Sequence, residues 1–314
     1  MSDSQFPRSV TIREVGPREG FQILKTRVAT PDKARLIAAL VEANLPEIEV
    51  TSFVRPDRVP NMADAEDLVS LLPRGVKTKF SALYLNPQGF RRAEATGRLV
   101  NRGWLYTSPS ESFLKSNNNI AIADALNEVP RWVSEFRGVG KRVEALMIST
   151  AFGCGFEGEI QPAAVAALVE RYVEACAREG ETLSEICLAD TIGAAHPNSV
   201  RACVQLLRPL GIPLSLHLHD TRGLGLVNVY AGLSEGVSIF EGSVGGMGGC
   251  PFTPGASGNV ATEDMIYLFH SLGVATGVDL ETLCRAAELA ESLVGAPLPG
   301  HLYRARLAGC KFRC

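Results

Sequence analysis

The sequence contains no Cys-x-x-Cys pair, no apolar run near the roughly 20 residues that span a bilayer, and no local cluster of lysine and arginine. Each absence excludes something. Eight cysteines scattered over 314 residues read as reduced thiols, not as a disulfide framework. Without a long apolar run there is no transmembrane helix. The opening MSDSQFPRSV has neither the apolar core of a secretory signal nor the arginine-rich character of a transit peptide. A formal charge of −3 gives no electrostatic footprint for nucleic acid. Linkers, low-complexity stretches and internal repeats are missing too, so residues 1–314 are expected to form a single domain. The expectation is a cytoplasmic, enzyme-sized protein with neither membrane nor nucleic-acid partners. At 46% apolar and 21% charged residues, it has the composition to build a substantial core.

Eight β-branched or apolar runs alternate with amphipathic stretches. The runs are VTIREV (10–15), EIEVTSF (47–53), TKFSALYL (78–85), RLVNRGWLYT (98–107), VEALMIST (143–150), SEICLAD (184–190), IPLSLHLH (212–219) and VSIFEGSV (237–244). Between them, DKARLIAALVEAN (32–44), PAAVAALVERYVEACAREG (162–180) and SVRACVQLLRPL (199–210) place apolar residues at helical spacing. Eightfold alternation predicts an α/β fold, a (β/α)8 TIM barrel; an open doubly wound sheet would normally have fewer strands. From about residue 262 the chain turns helical, through EDMIYLFHSLG and LETLCRAAELAESLV, and ends in a basic tail, GAPLPGHLYRARLAGCKFRC. These segments form a C-terminal appendage that would pack on the barrel or mediate a homodimer.

In such a barrel, chemistry gathers where the strands end. Strand one runs into Arg18-Glu19, strand two carries Glu49, strand six ends in Asp190, and strand seven ends in His217, His219 and Asp220. A glycine-rich segment with Cys250 and Asn259 follows strand eight. Residues i and i+2 share a strand face, so His217 and His219 point the same way. A lone buried histidine is usually a hydrogen-bonded core residue. Two on one face at a strand end, with carboxylates on neighbouring strands, point to a shared divalent metal. Two imidazoles, a carboxylate and an amide oxygen suit Mg²⁺ or Mn²⁺, with Zn²⁺ or Co²⁺ as further candidates. His196, His270 and His301 fall on a loop, a helix face and the tail, where a structural or surface role is expected.

The stretches EVGPREGFQ (14–22), IEVTSFVRPDRVPNMAD (48–64), ESFLKSNNNI (111–120), GCGFEG (153–158), LADTIGAAHP (188–197), HLHDTRGLGLVN (217–228) and GGCPFTPGASGNVATED (248–264) resemble, in order, the 3-hydroxy-3-methylglutaryl-CoA lyase family of the DRE-TIM metallolyase superfamily. The resemblance implies cleavage of a 3-hydroxy-3-substituted acyl-CoA thioester into acetyl-CoA and a keto product such as acetoacetate. It also implies metal ligation by Glu19, His217, His219 and Asn259. Arg18 would face the thioester carbonyl and Gln22 the substrate. Cys250 would donate a proton from a closing loop, and Asp190 and Glu49 would complete the acid–base network. The base that takes the hydroxyl proton would be Asp190 or His217.

Four positions depart from the family pattern. Glu19 stands where the family has Asp after strand one, Ala145 and Met147 replace an Arg and a Tyr on strand five, and Cys187 replaces a serine on strand six. Met147 and Cys187 are thereby expected to line a less polar substrate pocket, one better suited to an apolar substituent. Citramalyl-CoA is the second substrate candidate. Condensing synthases of the isopropylmalate or citramalate kind share the His-x-His site but lack the cysteine loop. A non-catalytic homologue would be recognised by its failure to bind metal.

Overall fold

The computed structural model describes residues 6–250 and 253–308, with backbone alone at residues 250 and 253–257. All eight apolar runs contain strands: β1 Thr11–Glu14, β2 Glu47–Ser52, β3 Lys79–Leu83, β4 Gly103–Thr107, β5 Val143–Ile148, β6 Glu185–Ala189, β7 Leu214–His217 and β8 Ile239–Gly242. The chain clusters into two compact units, Met1–Asn101 with Ile239–Cys314, and Arg102–Ser238.

In the first unit the parallel order is β3-β2-β1-β8. Its register sets Arg13 opposite both Glu47 and Glu241, and the three side chains meet as a buried ion cluster at 3.6 and 3.8 Å. The helix Thr30–Glu42 has Pro31 in its first turn, where a missing N–H costs nothing. It buries Leu36, Ile37 and Leu40 completely, each worth roughly 2 kcal/mol of transfer free energy. Asn44, in the left-handed region at φ 61°, follows its last turn.

The second unit has the parallel order β4-β5-β6-β7. Every residue of β6 is buried, the pattern of a parallel strand covered on both faces. The helix Pro162–Arg178 buries Val165, Leu168, Val169, Tyr172 and Cys176, one stripe at helical spacing.

Two segments differ from their sequence reading. The stretch after strand one is a helix, Gly16–Gln22. It is too short to show periodicity, but Pro17 in its first turn favours a helical start. The basic tail also contains a helix, Leu302–Leu307, anchored by the buried Tyr303, whose hydroxyl donates to the Leu298 carbonyl at 3.1 Å. The other C-terminal helices, Thr262–Ser271 and Leu280–Val294, fall where expected. Two small hairpins escape the periodicity, Gly153–Cys154 with Gly158–Glu159 and Gly249–Cys250 with Thr253–Ser257. Among the described residues no helix is long and apolar enough to cross a membrane.

Candidate active site

In the first unit, Arg18 and Glu19 sit on the helix Gly16–Gln22. Arg18 reaches two carboxylates, with Nη2 2.7 Å from Glu19 Oε1 and Nε donating to Glu49 Oε2 at 2.7 Å. Burial lifts the Glu49 carboxyl to about 7; the Arg18 cation opposes that shift, and Glu241 and Glu19 add to it. Asn259 Nδ2 donates to Glu19 Oε2 at 2.7 Å and to the Met247 carbonyl at 3.2 Å. These two acceptors fix the amide orientation and leave Asn259 Oδ1 buried without a hydrogen-bond partner among the described residues. Gly248 makes this packing feasible. It sits at φ 110°, and a Cβ there would lie 2.5 Å from Asn259 Nδ2. Gln22 is partly buried and accepts a long hydrogen bond, 3.5 Å, from Ser52 Oγ.

In the second unit, His217 ends β7 and His219 follows two residues later. Both are 6% exposed. Their Nε2 atoms stand 3.2 Å apart, with the ring planes inclined at 53°. Two imidazole nitrogens directed at one place are two donors for a single ion. Leu216 and Leu218, which alternate with them, are buried.

Asp190 follows β6 and is fully buried. Its Oδ1 accepts from Ala194 N at 2.7 Å and its Oδ2 from Ala195 N at 3.1 Å, while its own N–H donates to the His217 carbonyl at 2.8 Å. Burial raises its pKa to about 6 against the pull of those two N–H groups, His217 and Arg222. Met147 is half-buried on β5, in register with Cys187, which is fully buried. A cavity of about 650 Å³ in this unit is lined by Phe152, Cys154, Ile192, His196 and Arg222, among others, and by none of the expected site residues.

The side chain of Cys250, and all of Pro251 and Phe252, lie outside the described residues. The other histidines have structural partners. His196 caps the helix Pro197–Leu207, His270 meets Thr276 Oγ1, and His301 meets Asp264 Oδ2.

Sequence reasoning missed four polar residues of the first unit: Glu14, Thr262, Glu263 and Asp264. Glu14 is fully buried, and its carboxylate accepts from Gly16 N, Val244 N and Thr262 Oγ1 at 2.7, 2.8 and 2.6 Å. Glu263 Oε2 accepts from Gly245 N at 3.0 Å, and Asp264 accepts from the backbone N–H groups of His301 and Leu302. The available signal was an acid in the apolar run VTIREV, two residues ahead of Gly16-Pro17.

Comparison with known proteins follows the same lines. The family model described as HMGL-like matches residues 9–290. The hydroxymethylglutaryl-CoA lyase of Bacillus subtilis strain 168 is 37% identical over 296 residues, covering 94% of this chain and 96% of that protein. The (R)-citramalyl-CoA lyase of Chloroflexus aurantiacus is 37% identical over 303 residues, covering 93% of each. The crystal structure of hydroxymethylglutaryl-CoA lyase from Pseudomonas aeruginosa superposes with a TM-score of 0.89 at 34% identity, covering 98% of this chain and 100% of that one. The fold is the (β/α)8 barrel with added C-terminal helices that the alternation of strand and helix predicts. The chain is a member of the HMGL-like family of carbon–carbon lyases.

Proposed function

We propose that this protein is a divalent-metal-dependent acyl-CoA lyase. It cleaves a 3-hydroxy-3-substituted acyl-CoA, 3-hydroxy-3-methylglutaryl-CoA or a close analogue, to acetyl-CoA and a ketone or keto acid. The observation that carries the reading is the donor chemistry. Among the described residues, the first unit offers the Glu19 carboxylate and the buried Asn259 Oδ1, which has no hydrogen-bond partner, and the second offers the ring nitrogens of His217 and His219, 3.2 Å apart. This is a hard, mixed N/O set, which favours Mg²⁺ or Mn²⁺. When bound, the ion would lower the pKa of the substrate's tertiary hydroxyl.

The remaining work falls to side chains. Asp190 or His217 takes the hydroxyl proton, the C2–C3 bond breaks, and negative charge develops on the thioester oxygen. Arg18 stays cationic at any working pH and is already fixed by Glu19 and Glu49, so it meets that charge without reorganising. Cys250 returns a proton to carbon, converting the enolate to acetyl-CoA.

The test is to incubate the purified protein with Mg²⁺ or Mn²⁺ and a panel of 3-hydroxyacyl-CoA thioesters, then to assay acetyl-CoA. Release from at least one member is expected, and silence across the panel would overturn the reading. Citramalyl-CoA belongs in the panel because a relative of equal identity is named for it.

A further inference from the structure

Glu14 takes no part in the chemistry above, yet it is fully buried and holds three separate pieces of backbone. Its Oε1 accepts from Gly16 N at 2.7 Å and from Val244 N at 2.8 Å, while Oε2 accepts from Thr262 Oγ1 at 2.6 Å. Each partner leads to a different part of the candidate site. Gly16 begins the helix that carries Arg18 and Glu19. Val244 begins the tight turn Val244–Gly246, and the next residue, Met247, supplies the carbonyl that fixes Asn259. Thr262 begins the helix Thr262–Ser271, three residues beyond Asn259.

The surroundings leave little slack. A Cβ at Gly16 would lie 2.5 Å from Glu14 Oε1, so the close approach of backbone to carboxylate depends on that glycine. Glu263 braces the same turn independently through Gly245 N. A carboxylate held by two backbone N–H donors of fixed direction and a hydroxyl tolerates little displacement.

We propose that Glu14 is a positioning residue that sets the Glu19 carboxylate and the Asn259 amide in the arrangement a metal ion requires, by tying the three turns that carry them to one buried group. The link to turnover rests on the lyase reading; the link to metal affinity does not. Aspartate is one methylene shorter and cannot reach all three donors, whereas glutamine keeps the length and an oxygen for the two N–H groups.

The experiment titrates wild type, Glu14→Asp and Glu14→Gln with Mn²⁺ alone, at a temperature where circular dichroism shows all three folded. Glu14→Asp is expected to weaken Mn²⁺ binding at least about tenfold, the usual scale for a lost outer partner of a ligand, and Glu14→Gln to recover most of that loss. With substrate, kcat of Glu14→Asp is expected to fall at least about tenfold with KM within about threefold, a split that lowered stability alone would not produce. A folded Glu14→Asp protein with wild-type Mn²⁺ affinity overturns the proposal. Should that variant fail to fold, Thr262→Val removes one donor at nearly constant volume. A weaker Mn²⁺ affinity in it supports the proposal and an unchanged one overturns it. Wild-type protein that binds Mn²⁺ but cleaves no thioester would sink the lyase reading while leaving the affinity comparison standing.

Discussion

At the level of single residues, Glu14 and Arg18 give two sharp tests. Burial lifts the Glu14 carboxyl from 4.5 to about 7, against the hydrogen bonds from Thr262, Val244 and Gly16. Between those values the folded chain keeps a proton that the unfolded chain releases. The associated stability is therefore complete below about pH 4.5 and is lost as pH rises through about 7. Glu14→Gln has no such proton. Relative to wild type it should gain up to about 3 kcal/mol between pH 4.5 and pH 7.5, read by urea unfolding at several pH values. A constant difference across that range would remove burial as the cause. Arg18→Gln, which deletes the cation beside Glu19 and Glu49, should lower kcat by about 10²–10³-fold, the usual cost of losing a preorganised partner for developing charge. A variant keeping full kcat would show that the thioester oxygen is stabilised elsewhere. His219→Ala should abolish Mn²⁺ retention in dialysed protein, while Cys250→Ala should retain the ion and lose turnover.

At the level of elements, the glycine turn after β8 is the most constrained. Gly245 lies at φ 66°, and a Cβ there would come within 2.5 Å of Leu298 Cδ1. Gly245→Ala should cost about 1–3 kcal/mol through its left-handed backbone, measured by thermal unfolding, and should loosen the link that Gly300 N makes to the Gly245 carbonyl. The strands could be read from the sequence because burial on both faces leaves apolar runs such as EICLA in β6. The long helices could be read because stripes such as Val165, Leu168, Val169, Tyr172 and Cys176 repeat at helical spacing. The helices Gly16–Gln22 and Leu302–Leu307 escaped because seven and six residues hold too few turns for a stripe. In the candidate site, strand alternation puts His217 and His219 on one face, and their ring nitrogens stand 3.2 Å apart. Glu14 was not legible, because its role depends on Val244 and Thr262, each more than 200 residues away along the chain, and no local pattern encodes a long-range acceptor.

For the whole molecule, metal should act as a stabiliser as well as a participant in the chemistry. An ion that binds only the folded chain adds about 2.7 kcal/mol at a hundredfold excess over Kd. Mn²⁺ should accordingly raise Tm in a concentration-dependent way, and a chelator should reverse the rise. Chain connectivity has a further consequence. Arg102–Ser238 is one uninterrupted segment, whereas the other unit is assembled from Met1–Asn101 and Ile239–Cys314, with β1 pairing to β8. On the ribosome, β1 must therefore wait for a partner made more than two hundred codons later, while β4–β7 already have their neighbours when residue 238 emerges. Long loop closure is the slow step in such a topology. Pulsed hydrogen exchange during refolding should find the amides of β5 and β6 protected before those of β1, and the reverse order would show that the interrupted unit nucleates first.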